Sequence, residues 1–297
     1  MKPPTPPIFA LLALLLLPFT LTLAAPPIRA LYLFKDVLKS NTTALKTSGF
    51  NTLLIFGIGI LSDGSIKYYS NTPGSNDITV ASSGSYVGGA ALADKVRSFK
   101  TNSTGVDRVE ISMNSQHVRD LMAKPGSGAE TPVYKNFVAL KEAWGLDAVN
   151  NDDESLYDVQ STVAFAKMLG RAGYKYTTAP YTNVRFWQAV VSQGNAGLKE
   201  GGLLVDRVYL QCYDGGARND PRGWERDLGM KVVPLLWVTN DSKPGQSTTA
   251  VQARGRFEGW QRASALAGGG YWNDYDIEKM KLSYAEYGGV LRSVFPG

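Results

Sequence analysis

Apolar and polar positions along this chain alternate between two periods. Short apolar runs, alternating or unbroken, occur at 28–34 (IRALYLF), 51–60 (NTLLIFGIGI), 106–113 (VDRVEISM) and 146–152 (LDAVNND). They recur at 174–180 (YKYTTAP), 206–213 (DRVYLQCY), 230–238 (MKVVPLLWV) and 268–273 (GGGYWN). Each predicts a β-strand. Between them lie segments with apolar residues at helical spacing, at 37–49, 91–100, 133–145, 159–173, 182–194, 223–229, 250–268 and 276–294. Strands alternating with helices imply parallel pairing, and eight such units over roughly 270 residues suit an α/β fold, a (β/α)8 TIM barrel. A doubly wound sheet is the alternative. No Gly-x-Gly-x-x-Gly follows the first strand, so a dinucleotide-binding fold has no support. Residues 61–86, rich in Gly, Ser and Asn, read as a long loop after the second strand, with room for a small hairpin.

Composition changes this picture at the N-terminus. The apolar run 8–24, with Lys2 before it, Pro18 inside it and Ala24–Ala25 behind it, predicts a secretory signal peptide over 1–24. The expected product is a secreted, extracellular single domain over 25–297. No later stretch is long enough to span a bilayer, so no membrane association is expected once the signal is removed. The chain of 297 residues, 44% hydrophobic, is long enough for one sizeable core. One cysteine, Cys212, precludes an intramolecular disulfide, and strand parity packs it between barrel and helices. Sequons at Asn41, Asn102 and Asn240 suit a secreted glycoprotein. The net charge of +5 comes from scattered residues without a basic run, which excludes a nucleic-acid footprint. The single histidine, His117, cannot build a His-based metal site. No metal and no cofactor are expected, and the chain is expected to be a monomer.

The candidate chemistry sits in 145–158, GLDAVNNDDESLYD. It begins as a buried strand and ends on a run of acids. In a barrel, reactive side chains stand at the C-terminal ends of strands. Side chains alternate along a strand, so Asn150, Asp152 and Glu154 share one face. If Ala148 points into the barrel, these three climb towards its mouth. Two carboxylates so close repel, which raises the pKa of one of them. An acid-rich solvated loop would account for the same residues.

The spacing Asp147-x-x-Asn150-x-Asp152-x-Glu154 resembles the strand-four signature D-x-x-D-x-D-x-E of glycoside hydrolase family 18, matching at three of its four positions. The DDE ending, with Asp153 where chitinases usually carry an aromatic, resembles the endo-β-N-acetylglucosaminidases of that family. YLQCYD (209–214), at strand six, is similar to the family's M-x-Y-D-like segment, and GGGYWND (268–274) to the segment whose Trp floors the sugar subsite. Ser112 matches the serine of the strand-three S-x-G-G, whose glycines are missing. The resemblance implies a glycosidase, of chitinase or endo-β-N-acetylglucosaminidase type. Its partner would be a GlcNAc-containing oligosaccharide or glycoprotein glycan. It also implies substrate-assisted, retaining hydrolysis of β-1,4-linked N-acetylglucosaminides. Glu154 would be the acid, Asp152 would orient the acetamide and stabilise the cyclic cation, and Tyr213 would donate to the acetamide oxygen. Trp272 would stack beneath the sugar. Asn150, Gln211, Asp214 and Trp237, also at strand ends, would complete the binding site.

Asn150 departs from the signature, because an amide cannot share a proton with its neighbour. Asp152 is therefore expected to be ionised over more of the working pH range. The departure also leaves open a catalytically silent, glycan-binding barrel. Residues 239–248 are too few to hold a domain between strand seven and helix seven, which implies a shallow cleft and endo-action.

Overall fold

The computed structural model describes Met1 and residues 26–199 and 201–297. The signal peptide expected over 1–24 lies, apart from Met1, outside the described residues. Eight strands pair in parallel and close into a barrel. They are β1 (Ile28–Leu33), β2 (Thr52–Ile60), β3 (Arg108–Met113), β4 (Ala148–Asn151), β5 (Lys175–Thr178), β6 (Val205–Gln211), β7 (Val233–Val238) and β8 (Gly268–Trp272). β1 pairs with both β2 and β8, which closes the ring. The expected (β/α)8 TIM barrel is thus the observed fold.

The main helix after each strand is α1 (Thr42–Thr47), α2 (Ala90–Ser98), α3 (Pro132–Trp144), α4 (Val159–Arg171), α5 (Val184–Gly194), α6 (Pro221–Leu228), α7 (Ala250–Ala263) and α8 (Tyr284–Val294). Their ends follow local chemistry. Thr131 caps α3 by accepting from the Tyr134 N–H, Pro132 opens it, and Gly145 closes it in the left-handed conformation. Thr249 and Gln252 form a capping box on α7.

One expected helix is corrected here. The helix expected over 276–294 is two helices, Asp274–Lys279 and α8. Lys281, at φ 55°, turns the chain between them, and Ser283 caps the second. The periodicity was continuous, but the caps cut it. A further short helix, Val118–Ala123, stands before α3. The 61–86 region does hold a small antiparallel meander, Ile66–Tyr68, Ile78–Ser82 and Ser85–Tyr86, which continues the sheet from the end of β2.

The core has two compartments. Outward strand residues such as Leu53, Ile111, Val149, Leu236 and Cys212 pack beneath the helices. Cys212 is fully buried there, as its parity required. Inward residues Ala30, Tyr32, Leu54, Tyr209, Val233 and Leu235 fill the lumen. Among the described residues, no helix is long and apolar enough to cross a membrane.

Candidate active site

Strand register and parity decide which side chains reach the mouth of the barrel. β4 pairs Ser112 with Asn150 on one side and Asn150 with Thr177 on the other. All three point inward. Asn150 Oδ1 accepts from Tyr32 Oη at 3.0 Å and from Ser112 Oγ at 2.9 Å. Its Nδ2 donates to Thr177 Oγ1 at 3.0 Å. Asn150 is fully buried and lies beneath the cleft, not on its surface.

One step higher, Asp152 and Glu154 line a cleft of about 730 Å³ at the C-terminal end of the barrel. Gln211, Tyr213, Asp214, Trp237 and Trp272 line the same cleft. Seven of the eight residues singled out from the sequence are thus brought together, and Asn150 supports them from below.

The acids between them divide by parity. Asp153 turns away from the lumen and is buried. Its Oδ1 accepts from the N–H groups of Ser155 and Leu156 at 3.0 and 2.8 Å, and its Oδ2 from that of Tyr157 at 2.9 Å. It therefore clamps the turn that carries Glu154. Asp147, the first acid of the stretch, accepts from the Val109 N–H at 2.8 Å and from Lys100 Nζ at 2.6 Å. It ties the base of β4 to β3 and takes no part in the cleft.

Gln211 joins the two acids that do. Its Nε2 donates to Asp152 Oδ1 at 3.1 Å and to the Ala179 carbonyl at 2.9 Å, with Glu154 Oε1 at 3.5 Å. Asp152 keeps a little open surface on the cleft side but is otherwise enclosed by protein. That desolvation, with the nearby charges of Glu154 and Asp153, pushes its carboxyl up to about 8. Asp152 therefore holds its proton up to about that pH in the empty cleft. Asn150 spends its amide on Thr177, and among the described residues no cation pairs with Asp152 to favour the charge.

The aromatic residues are held rigidly. Trp272 meets Phe56 edge-on at 4.7 Å between ring centres, and Tyr32 and Phe34 each at 5.5 Å. Tyr213 packs against Trp237 at 5.8 Å. Burial first, then the Asp152 charge, raises the Tyr213 phenol well above its ordinary value, so it stays a hydrogen-bond donor. Trp237 donates its indole N–H to Asp276 at 2.7 Å. Asp214 forms an ion pair with Lys243, whose ammonium stands 5.9 Å above the Trp237 ring.

Sequence reasoning missed Phe56, Tyr69 and Tyr181, which also line the cleft. Tyr181 carried a usable signal, an aromatic just beyond the end of a strand, whereas Phe56 lies within β2. Tyr181 needs Gly215 opposite it, because a Cβ there would lie 2.9 Å from its ring. Tyr69 arrives only through the meander. Gly57, at φ 88° beside the register shift of β2, lets that segment approach, and a Cβ would meet the Tyr69 carbonyl at 2.7 Å.

No protein-family model matches this chain, and no curated protein matches it. Solved structures do. A family GH18 chitinase from Pseudoalteromonas aurantia is similar over 90% of this chain and 99% of its own, with a TM-score of 0.64 at 13% identity. The catalytic domain of a family GH18 chitinase from the fern Peteris ryukyuensis is similar over 91% of this chain and 100% of its own, with a TM-score of 0.59 at 13% identity. A chitinase-like agglutinin from Robinia pseudoacacia is similar over 90% of this chain and 99% of its own, with a TM-score of 0.56 at 10% identity. The chain thus has a GH18 chitinase-like fold. At these identities the likeness is one of fold, and chemistry must be argued from the cleft.

Proposed function

We propose that the protein is a secreted glycoside hydrolase that cleaves β-1,4-linked N-acetylglucosaminides by substrate-assisted retention. One observation carries the reading. Glu154, Asp152, Tyr213 and Trp272 come from the ends of three different strands and line one cleft at the catalytic end of the barrel. The fold likeness to GH18 chitinases supports it. The leader-like run 8–24 supports secretion.

Each group has a role its surroundings suit. Glu154, exposed at the rim of the cleft, reaches the glycosidic oxygen and gives it a proton as the bond to C1 breaks. The substrate's acetamide oxygen forms the new bond to C1, giving a cyclic cation. Tyr213 donates to that oxygen and aligns it. Asp152 faces the acetamide N–H and takes up its charge. Water then opens the ring while Glu154 accepts a proton. Trp272, locked by its three aromatic neighbours, offers a flat face to the sugar's C–H bonds. Asp152 and Glu154 act as a coupled pair. A proton held on Asp152 in the empty cleft has to be available to Glu154 before the bond breaks.

The β7-to-α7 connection, residues 239–249, carries only a turn of 3₁₀ helix, Pro244–Gln246, and the short strand Ser247–Thr248. The cleft therefore has no added wall there, which supports endo-action on soluble chitin chains or on the chitobiose core of N-glycans. The test is hydrolysis of chromogenic chitobiose and chitotriose substrates and of a high-mannose glycoprotein. Wild type should turn over at least one of these substrates, and Glu154→Gln should not.

A second reading, a glycan-binding barrel without turnover, is favoured by the amide at position 150 and by the likeness to a chitinase-like agglutinin. Binding of chitotriose with no product from any of the three substrates would select it.

A further inference from the structure

The lumen holds a second carboxylate, which the proposed reaction does not use. Glu110, on β3, is fully buried. Its Oε1 accepts from Arg108 Nε and from Tyr209 Oη, each at 2.7 Å, and Arg207 lies 3.8 Å away. Arg108 is itself gripped by both oxygens of Asp206, at 2.7 and 2.9 Å. Such a group would ordinarily be read as structural.

The other oxygen links it to the cleft. Glu110 Oε2 accepts from Thr177 Oγ1 at 2.6 Å. A threonine hydroxyl has one proton, and this bond uses it. The Thr177 oxygen is left to accept, and Asn150 Nδ2 donates to it at 3.0 Å. That direction orients the amide, with Nδ2 down and Oδ1 towards Tyr32 and Ser112. The line from Glu110 through Thr177 to Asn150 is satisfied at every step and runs one way. A carboxylate at position 150 would set an oxygen against a hydroxyl whose proton is already committed.

The geometry points to Glu110 as a positioning residue: through Thr177 it fixes position 150 as an amide, and it carries, one layer deeper, the negative charge that an aspartate there would bring. Its kinetic consequence rests on the glycosidase reading above. With the charge at 110, Arg108 and Arg207 neutralise it. With the charge at 150, it would stand two residues from Asp152. That group already faces Asp153 and Glu154 from its own loop, Tyr213 from β6 and Tyr32 from β1.

The two positions should therefore be exchangeable only together. In Glu110→Gln/Asn150→Asp the line reverses. The new glutamine keeps Arg108 and Tyr209 on its oxygen and donates to Thr177, and Thr177 donates to the new aspartate. Glu110→Gln alone leaves two amides donating to Thr177 and its proton without an acceptor. Asn150→Asp alone leaves two carboxylates competing for one proton. Buried networks of this kind give strongly non-additive cycles.

The experiment is that double-mutant cycle, read by thermal unfolding and by kcat/KM against pH on a chromogenic chitotriose substrate. Each single variant should lose about 4 °C or more in Tm, and the double variant should return to within about 2 °C of wild type. Its activity should recover to within about threefold of wild type. Its alkaline limb should move up by roughly 0.5–1 pH unit, because a carboxylate now neighbours Asp152. Losses that add in the double variant, single variants as stable as wild type, or a double-variant limb superimposed on wild type would each overturn the assignment. Should wild type cleave no acetamido substrate, the glycosidase reading fails on its own. The Tm cycle then still decides the positioning claim, with restoration supporting it and additive loss overturning it.

Discussion

Glu110, on β3, and Asp152, just beyond the end of β4, stand at different depths of this barrel. Glu110, near the floor, meets Arg108 and Tyr209 at 2.7 Å and Thr177 at 2.6 Å. Asp152, at the mouth, has one amide donor, Gln211, and two acidic neighbours. The floor satisfies its charge and the mouth leaves its charge unpaired. Unpaired, desolvated acids in a cleft are costly to keep and mark sites of chemistry, whereas paired ones are mainly architecture. On that contrast the proposed reaction is assigned to the mouth and a holding role to the floor.

The largest effect should come from the mouth. Glu154→Gln should lower kcat by about 10²–10⁴-fold while leaving chitotriose binding nearly intact, since the two side chains are close in shape. Turnover on a chromogenic substrate and calorimetric binding check both halves. Wild-type turnover in the variant would remove the mouth's claim to chemistry.

The floor should respond in stability instead. Arg108→Met leaves Glu110 and Asp206 without their principal partner in a buried place. It should cost about 3–5 kcal/mol in denaturant unfolding. Activity per folded molecule should change by only a few-fold, and a large specific loss would blur the distinction.

Asp152→Asn should do the reverse, losing turnover and gaining stability. Burial and its acidic neighbours hold Asp152 up to about 8, and burial, with Glu278 nearby, holds Asp274 up to about 7. In the unfolded chain such groups lose their protons near pH 4. The folded protein therefore binds more protons between these limits, so stability falls as pH rises from about 4 to about 8 and levels off above. The variant should shed part of that slope. Its gain should be near zero at pH 4 and about 2 kcal/mol at pH 8, below the full linkage value because Asp152 keeps some contact with water. A variant less stable than wild type at pH 8 would contradict the unpaired charge.

The smallest change is in the pH profile itself. Loss of the proton at Asp152 should give kcat/KM an alkaline limb near pH 8, read as a property of the coupled pair with Glu154. Activity flat through pH 10 would uncouple the two acids.

The barrel was legible in the sequence because each unit carried its own period, and six of the eight main helices a side-chain N-cap. Strand parity alone carried Asn150 and Asp152 into the lumen and Cys212 out of it. The split of 276–294 was not legible, since Ile277, Tyr284, Tyr287 and Leu291 keep helical spacing across the break at Lys281. The raised pKa of Asp152 was not legible for a different reason. Whether a carboxyl finds a partner depends on side chains from β3, β5 and β6, and one strand's spacing says nothing of those. Thr177 and Glu110 capture Asn150 from below, and no local pattern announces it. The sequons show the same limit. Asn240 is buried and its amide donates to the Val238 carbonyl, while Asn102 is exposed.

The proposed reaction turns on the acetamide acting as nucleophile at this mouth. Proton NMR of an N-acetylchitooligosaccharide digest, recorded before mutarotation, tests it by the anomer released first. The account predicts β-anomer from wild type, with no cleavage of the matching β-1,4-glucan. Initial α-anomer, or equal cleavage of the glucan, would contradict it.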